Sequence, residues 1–88
     1  MINVEKLNDS QFKVTVSNGS TTTHTVTVGE DYYQKLTGGS VPPEALVARS
    51  FEFLLERESN TSILSSFELP VIGRYFPEYE DEIRRMLG

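Results

Sequence analysis

The sequence predicts an α+β fold: a three-stranded antiparallel β-meander followed by three to four α-helices packed on one face. Three observations carry that prediction. Over the first 28 residues, apolar side chains recur at every second position among β-branched neighbours, the pattern of half-buried strands. From residue 29 the apolar spacing becomes helical, with acids early and bases late in the helical segments. Clusters of Asn, Asp, Ser, Gly and Pro punctuate the runs. A chain of 88 residues has room for one domain, 1–88, and one core.

In the first strand Ile2 and Val4 alternate with Asn3 and Glu5. In the second, Phe12, Val14 and Val16 alternate with Lys13, Thr15 and Ser17. In the third, His24, Val26 and Val28 alternate with Thr23, Thr25 and Thr27. Asn8-Asp9-Ser10 and Ser17-Asn18-Gly19-Ser20 form the turns. A two-residue Asn18-Gly19 turn would set Val16 opposite Thr21 and Val14 opposite Thr23, with threonines against the apolar face. Pairing Val14 with Val26 and Phe12 with Val28 keeps that face apolar. A longer loop over residues 18–22, or a bulge, is therefore expected.

Glu30-Asp31-Tyr32-Tyr33-Gln34-Lys35-Leu36 reads as a short helix stopped by Gly38-Gly39. Pro42 is the expected cap and Pro43 the first residue of the main helix, which runs to about Glu58. Its apolar face is Leu46, Val47, Phe51, Leu54 and Leu55, with Phe53 off the centre of that stripe. This helix is expected across the sheet's apolar face, formed by Phe12, Val14, Val16, Val26 and Val28. Ser59-Asn60-Thr61-Ser62 caps a further helical turn with Ile63, Leu64 and Phe67. Val71–Phe76 adds another turn or two, and Pro77 opens a terminal helix through Leu87. Glu80 with Arg84 and Asp81 with Arg85 stand at i,i+4 in the favourable order. The C-terminal helices are expected to cover the remaining edge of the sheet.

Composition narrows the function classes. Apolar residues make up 38% and charged residues 24%, a globular and not a disordered balance. The absence of cysteine excludes disulfides, thiolate metal sites and cysteine nucleophiles. It also favours a reducing compartment, and a cytoplasmic location is expected. The N-terminal Met1–Lys6 lacks the basic-then-apolar pattern of a signal peptide. The longest apolar run, Ala45–Ala48, is far too short to span a bilayer, so no membrane association is expected. The net charge of −5, with no cluster of three or more bases, repels phosphate backbones, so nucleic acid is not an expected partner.

The motifs of nucleotide, zinc and serine-nucleophile chemistry are absent, and no cofactor, metal site or catalytic residue is expected. The single histidine, His24, stands at an inward strand position among threonines, and a partly buried strand histidine bonded to a neighbouring hydroxyl is expected. The acids Glu78, Glu80, Asp81 and Glu82 read as a solvated helix start. Arg74-Tyr75-Phe76-Pro77-Glu78-Tyr79 sets three aromatics beside an arginine, which suits either an interface or a core, and Phe76 and Tyr79 fit the core. The candidate interaction surface is accordingly Phe53, Arg74 and Tyr75.

Two resemblances accompany this reading. His24–Val28, Glu30-Asp31 with Leu36, the Gly39–Glu44 turn and the helix Ala45–Arg57 together resemble the ribbon-helix-helix family of bacterial DNA-binding dimers, many of them antitoxins. That resemblance covers residues 24–58 and implies an obligate dimer whose strand pairs with that of a second subunit. The whole chain is similar to a set of small uncharacterised bacterial cytosolic proteins, through His24–Val28, Ser50–Glu58 and Tyr75–Tyr79. This second resemblance implies a compact fold and carries no activity. The expected function is a non-enzymatic module that binds another protein or forms a homodimer. The alternative is a ribbon-helix-helix-like regulator or antitoxin binding DNA as a dimer.

Overall fold

The computed structural model describes residues 1–88. Strands β1 (Ile2–Lys6), β2 (Gln11–Asn18) and β3 (Ser20–Thr27) form the expected antiparallel meander. Helices α1 (Glu30–Thr37) and α2 (Pro43–Leu55) follow, then a 3-10 turn at Asn60–Ser62. A short fourth strand, β4 (Ser66–Glu68), precedes α3 (Val71–Tyr75) and α4 (Tyr79–Leu87). The strand order is β1-β2-β3-β4, and β4 runs parallel to β3. The fold is thus α+β with a mixed four-stranded sheet and four helices. No helix is long and apolar enough to cross a membrane.

The β4 strand corrects the helical turn expected around Phe67. Thr25 pairs with Ser66, Val26 with Phe67 and Thr27 with Glu68. Isolated three-residue strands are unstable, and this one persists because β3 offers it an open edge. That pairing also bears on the ribbon-helix-helix likeness. With β2 on one side and β4 on the other, β3 has no free edge for a second subunit's strand.

The register of the β2–β3 hairpin differs from the expected one. Val14 lies opposite His24, Phe12 opposite Val26 and Val16 opposite Thr22. The connection closes tightly around Gly19, which takes φ 83°, a left-handed conformation natural to glycine. The five-residue loop is absent. Val26 still faces inward beside Phe12, Val14 and Val16, all fully buried. His24 faces inward as expected, and Thr22 now joins it on that face, which is affordable only because other chain segments supply their hydrogen bonds.

Helix α1 ends at Gly38, whose φ of 62° lets its N–H reach the Gln34 carbonyl. Helix α2 starts at Pro43 behind an extended Pro42, as its sequence requires, and ends three residues before the expected Glu58. It packs on β1 and β2, with Leu46, Val47 and Phe51 buried and Phe51 against His24 of β3 and Phe67 of β4, while its other side meets α4. The helix therefore has two apolar faces and not one. Helix α4 packs on α2 and α1 instead of covering the sheet edge, which β4 occupies. A core of 16 buried residues runs through all these layers.

The charges of α4 also pair differently. Arg84 reaches Asp81 at 3.8 Å and Arg85 reaches Glu82, both at i,i+3. Glu80 instead faces α1, where it accepts from the Tyr32 hydroxyl at 2.9 Å and lies 3.2 Å from the Lys35 ammonium. Burial and the bond to Glu80 push the Tyr32 hydroxyl above the ordinary phenol range, so it remains a donor.

Candidate functional site

The Ser59–Ser65 segment connects α2 to β4, and a chain of hydrogen bonds fixes it to the sheet. Asn60 is buried, and its Nδ2 donates to the Ser20 carbonyl at 2.8 Å and to Thr22 Oγ1 at 3.0 Å. His24 Nδ1 lies 2.7 Å from the Leu64 carbonyl oxygen, and Nε2 lies 2.8 Å from Thr22 Oγ1. A carbonyl only accepts, so Nδ1 carries the proton and Nε2 accepts from the threonine hydroxyl. The direction of every bond in this relay follows from its two ends.

His24 is 2% exposed, and its ring stacks at a tilt on Phe51 with centroids 5.4 Å apart. Its bond to a neighbouring hydroxyl is the expected one. Both ring nitrogens are engaged in holding the fold, and no carboxylate touches the ring. No group of three or more His, Asp or Glu side chains converges anywhere in the chain. The expected solvated helix start at Glu78–Glu82 stays largely at the surface, with Glu78 and Asp81 exposed.

The segment held by His24 forms one wall of an apolar groove of about 350 Å³. Leu54, Ile63 and Ile72 are buried and form its floor. Phe67 of β4 and Val71 and Phe76 around α3 form its sides. Leu64 and Tyr75 stand on its rim, 48% and 68% exposed. Glu58 and Ser62 supply the polar part of the lining. A second, shallower basin continues from Leu64, Phe67, Val71 and Tyr75 across β4 to Glu68 and Arg74. The groove therefore opens beside the outer edge of β4, the last strand of the sheet.

Of the three candidate interaction residues, the structure places Arg74 and Tyr75 together on this surface, both exposed. Phe53 is a correction: it is fully buried and unavailable to a partner. It lies on the second apolar face of α2, edge-on to Tyr79 at 5.2 Å and to Phe76 at 5.8 Å. The Arg57 guanidinium covers its outer face, 3.6 Å from the ring centroid. Arg57 is itself held by the Glu78 carboxylate at 3.2 Å and the Phe53 carbonyl at 3.0 Å. An off-stripe aromatic here marks a helix packed on two sides.

The aromatic segment 74–79 divides accordingly. Tyr79 is fully buried, Phe76 is half-buried, and Arg74 and Tyr75 face solvent. Leu64 and Phe67 of the groove, and Glu68 of the adjoining basin, are among the residues of this surface that sequence reasoning missed. Their signal was present: Ser66-Phe67-Glu68 alternates polar and apolar between turn-forming residues, as a short strand does. Comparison with family models, with curated proteins and with solved structures finds no match to this chain.

Proposed function

We propose that this protein is a binding module without a catalytic step, which holds a segment of a polypeptide in the groove between β4, α3 and the end of α2. The observation that carries this reading is the apolar groove lying against an open strand edge. Peptide recognition by strand addition uses that combination: main-chain hydrogen bonds give affinity, and apolar pockets select side chains. The exposed Leu64 and Tyr75 flanking the groove support it, because large apolar side chains in one patch gain by leaving water. The engagement of both His24 nitrogens in structural bonds supports the non-enzymatic part of the reading. The cysteine-free composition supports a cytoplasmic setting.

The test compares capture by the native chain with capture by Leu64→Glu and by Tyr75→Glu, each checked for folding by circular dichroism. Both changes lie on the exposed rim and leave the groove's floor untouched. Proteins retained by the native chain and released by both variants are the expected result. An identical retained set for all three overturns the reading.

A further inference from the structure

We propose that the occupant of this surface is a second copy of the chain, and that two copies join by antiparallel pairing of their β4 edges about a two-fold axis. This rests on the protein-binding reading of the same groove and names its partner.

The backbone sets the geometry. The Ser65 carbonyl accepts from the Thr25 N–H at 2.8 Å, and the Leu69 N–H donates to the Thr27 carbonyl at 2.9 Å. Residues 65, 67 and 69 therefore turn their backbone groups toward β3. Alternation along a strand turns the N–H and C=O of Ser66 and Glu68 the other way, off the end of the sheet. Both residues are exposed. Laid antiparallel against its own image, this edge sets Ser66 of each chain opposite Glu68 of the other, with Phe67 facing its own mate. Each Ser66–Glu68 pair exchanges two hydrogen bonds, and the two sheets become one continuous sheet.

Charge points to the same partner. Arg49, Arg57, Arg84 and Arg85 each lie within 4.0 Å of a carboxylate, and Arg74 does not. Glu68, which lines the same basin as Arg74, has no ion pair either. A patch with one unpaired acid and one unpaired base complements itself under a two-fold axis, since each arginine meets the glutamate of the other copy. Leu64 and Tyr75 beside the strand lose water in the same step. The edge is only three residues long, so the contact is small and association depends on concentration.

Sedimentation equilibrium of the full chain over a wide concentration range is the test, and a monomer–dimer equilibrium is expected. Ser66→Pro removes an outward N–H without touching the ladder to β3, and is expected to weaken dimerisation by about tenfold. Glu68→Arg weakens it in the same direction, and adding Arg74→Glu to that variant restores it, because the exchanged charges again match across the axis. The exposed charge variants keep the question answerable if the proline variant fails to fold. A chain monomeric at every concentration overturns the proposal, as does a dimer indifferent to both the proline and the charge exchange. Either outcome leaves the groove reading standing, since that reading falls only if Leu64→Glu and Tyr75→Glu release no captured protein.

Discussion

His24 Nδ1 and the Leu64 carbonyl oxygen stand 2.7 Å apart, joining β3 to a segment forty residues further along the chain. That bond holds the groove's rim in place, because Leu64 is itself a rim residue. Replacing His24 with Phe keeps an aromatic ring beside Phe51 but leaves the Leu64 carbonyl without its donor. A loss of about 1–3 kcal/mol of folding stability is expected, the usual penalty for an unpartnered buried polar group. Urea unfolding measures the loss, and amide exchange over residues 60–66 should accelerate more than exchange in β1. Unchanged exchange in that segment would show that His24 does not anchor it.

The buried hydroxyl pair inside the core predicts an asymmetry. Ser50 Oγ donates to the Leu46 carbonyl at 2.8 Å, so the Tyr79 hydroxyl, 2.7 Å away, donates to Ser50. Burial pushes the Tyr79 hydroxyl up, keeping it protonated. Ser50→Ala strands that buried hydroxyl and is expected to cost about 1–3 kcal/mol. Tyr79→Phe leaves Ser50 still bonded and is expected to cost only about 1 kcal/mol. Denaturant titration of both variants should rank them in that order.

The Glu80 carboxyl is held below the usual carboxylate range, first by the Tyr32 hydroxyl and then by Lys35, against the opposing effect of partial burial. The folded chain thus gives up this proton more readily than the unfolded chain. The resulting stabilisation is complete above the unfolded value of about 4.3 and is lost as pH falls through the lower folded value. Glu80→Gln should therefore be less stable than the native chain at neutral pH, with the difference shrinking toward acid. Thermal melts across that range test this, and a difference independent of pH contradicts it.

Phe53 is expected to behave as a core residue. Phe53→Ala opens a cavity between α2 and α4 and should cost about 3–5 kcal/mol, a large part of the stability of a chain this size. Arg57→Ala, which uncovers the ring but leaves it packed, should cost clearly less. Equal losses in the two unfolding curves would mean that the guanidinium, and not the aromatic cluster, keeps Phe53 in place.

Much of the architecture was legible along the chain. Period-two runs such as Phe12-Val14-Val16 place side chains on one face whatever the tertiary context, so the meander follows from local pattern. Pro42-Pro43 and Gly38 act through backbone angles that no distant contact can change, so both helix boundaries were readable. Of the surface formed by the groove and its adjoining basin, Arg74 and Tyr75 are legible as an exposed basic–aromatic pair. Phe53 was not legible as a core residue because the pattern along α2 gives one apolar stripe, whereas the helix is covered on two sides.

What the sequence by itself determined is the α+β class, the three antiparallel strands, the starts of α1 and α2 and the lack of cysteine chemistry. These depend on residues within a few positions of one another. The tertiary structure alone decided the hairpin register, the fourth strand and the groove. Apolar content argued for a loop at Thr22 and against placing it inward beside His24, and the hydrogen-bond partners of these two residues, Asn60 and Leu64, lie about forty residues away. A buried polar side chain is acceptable only where its partner is, and no local pattern in the chain says where that partner will be.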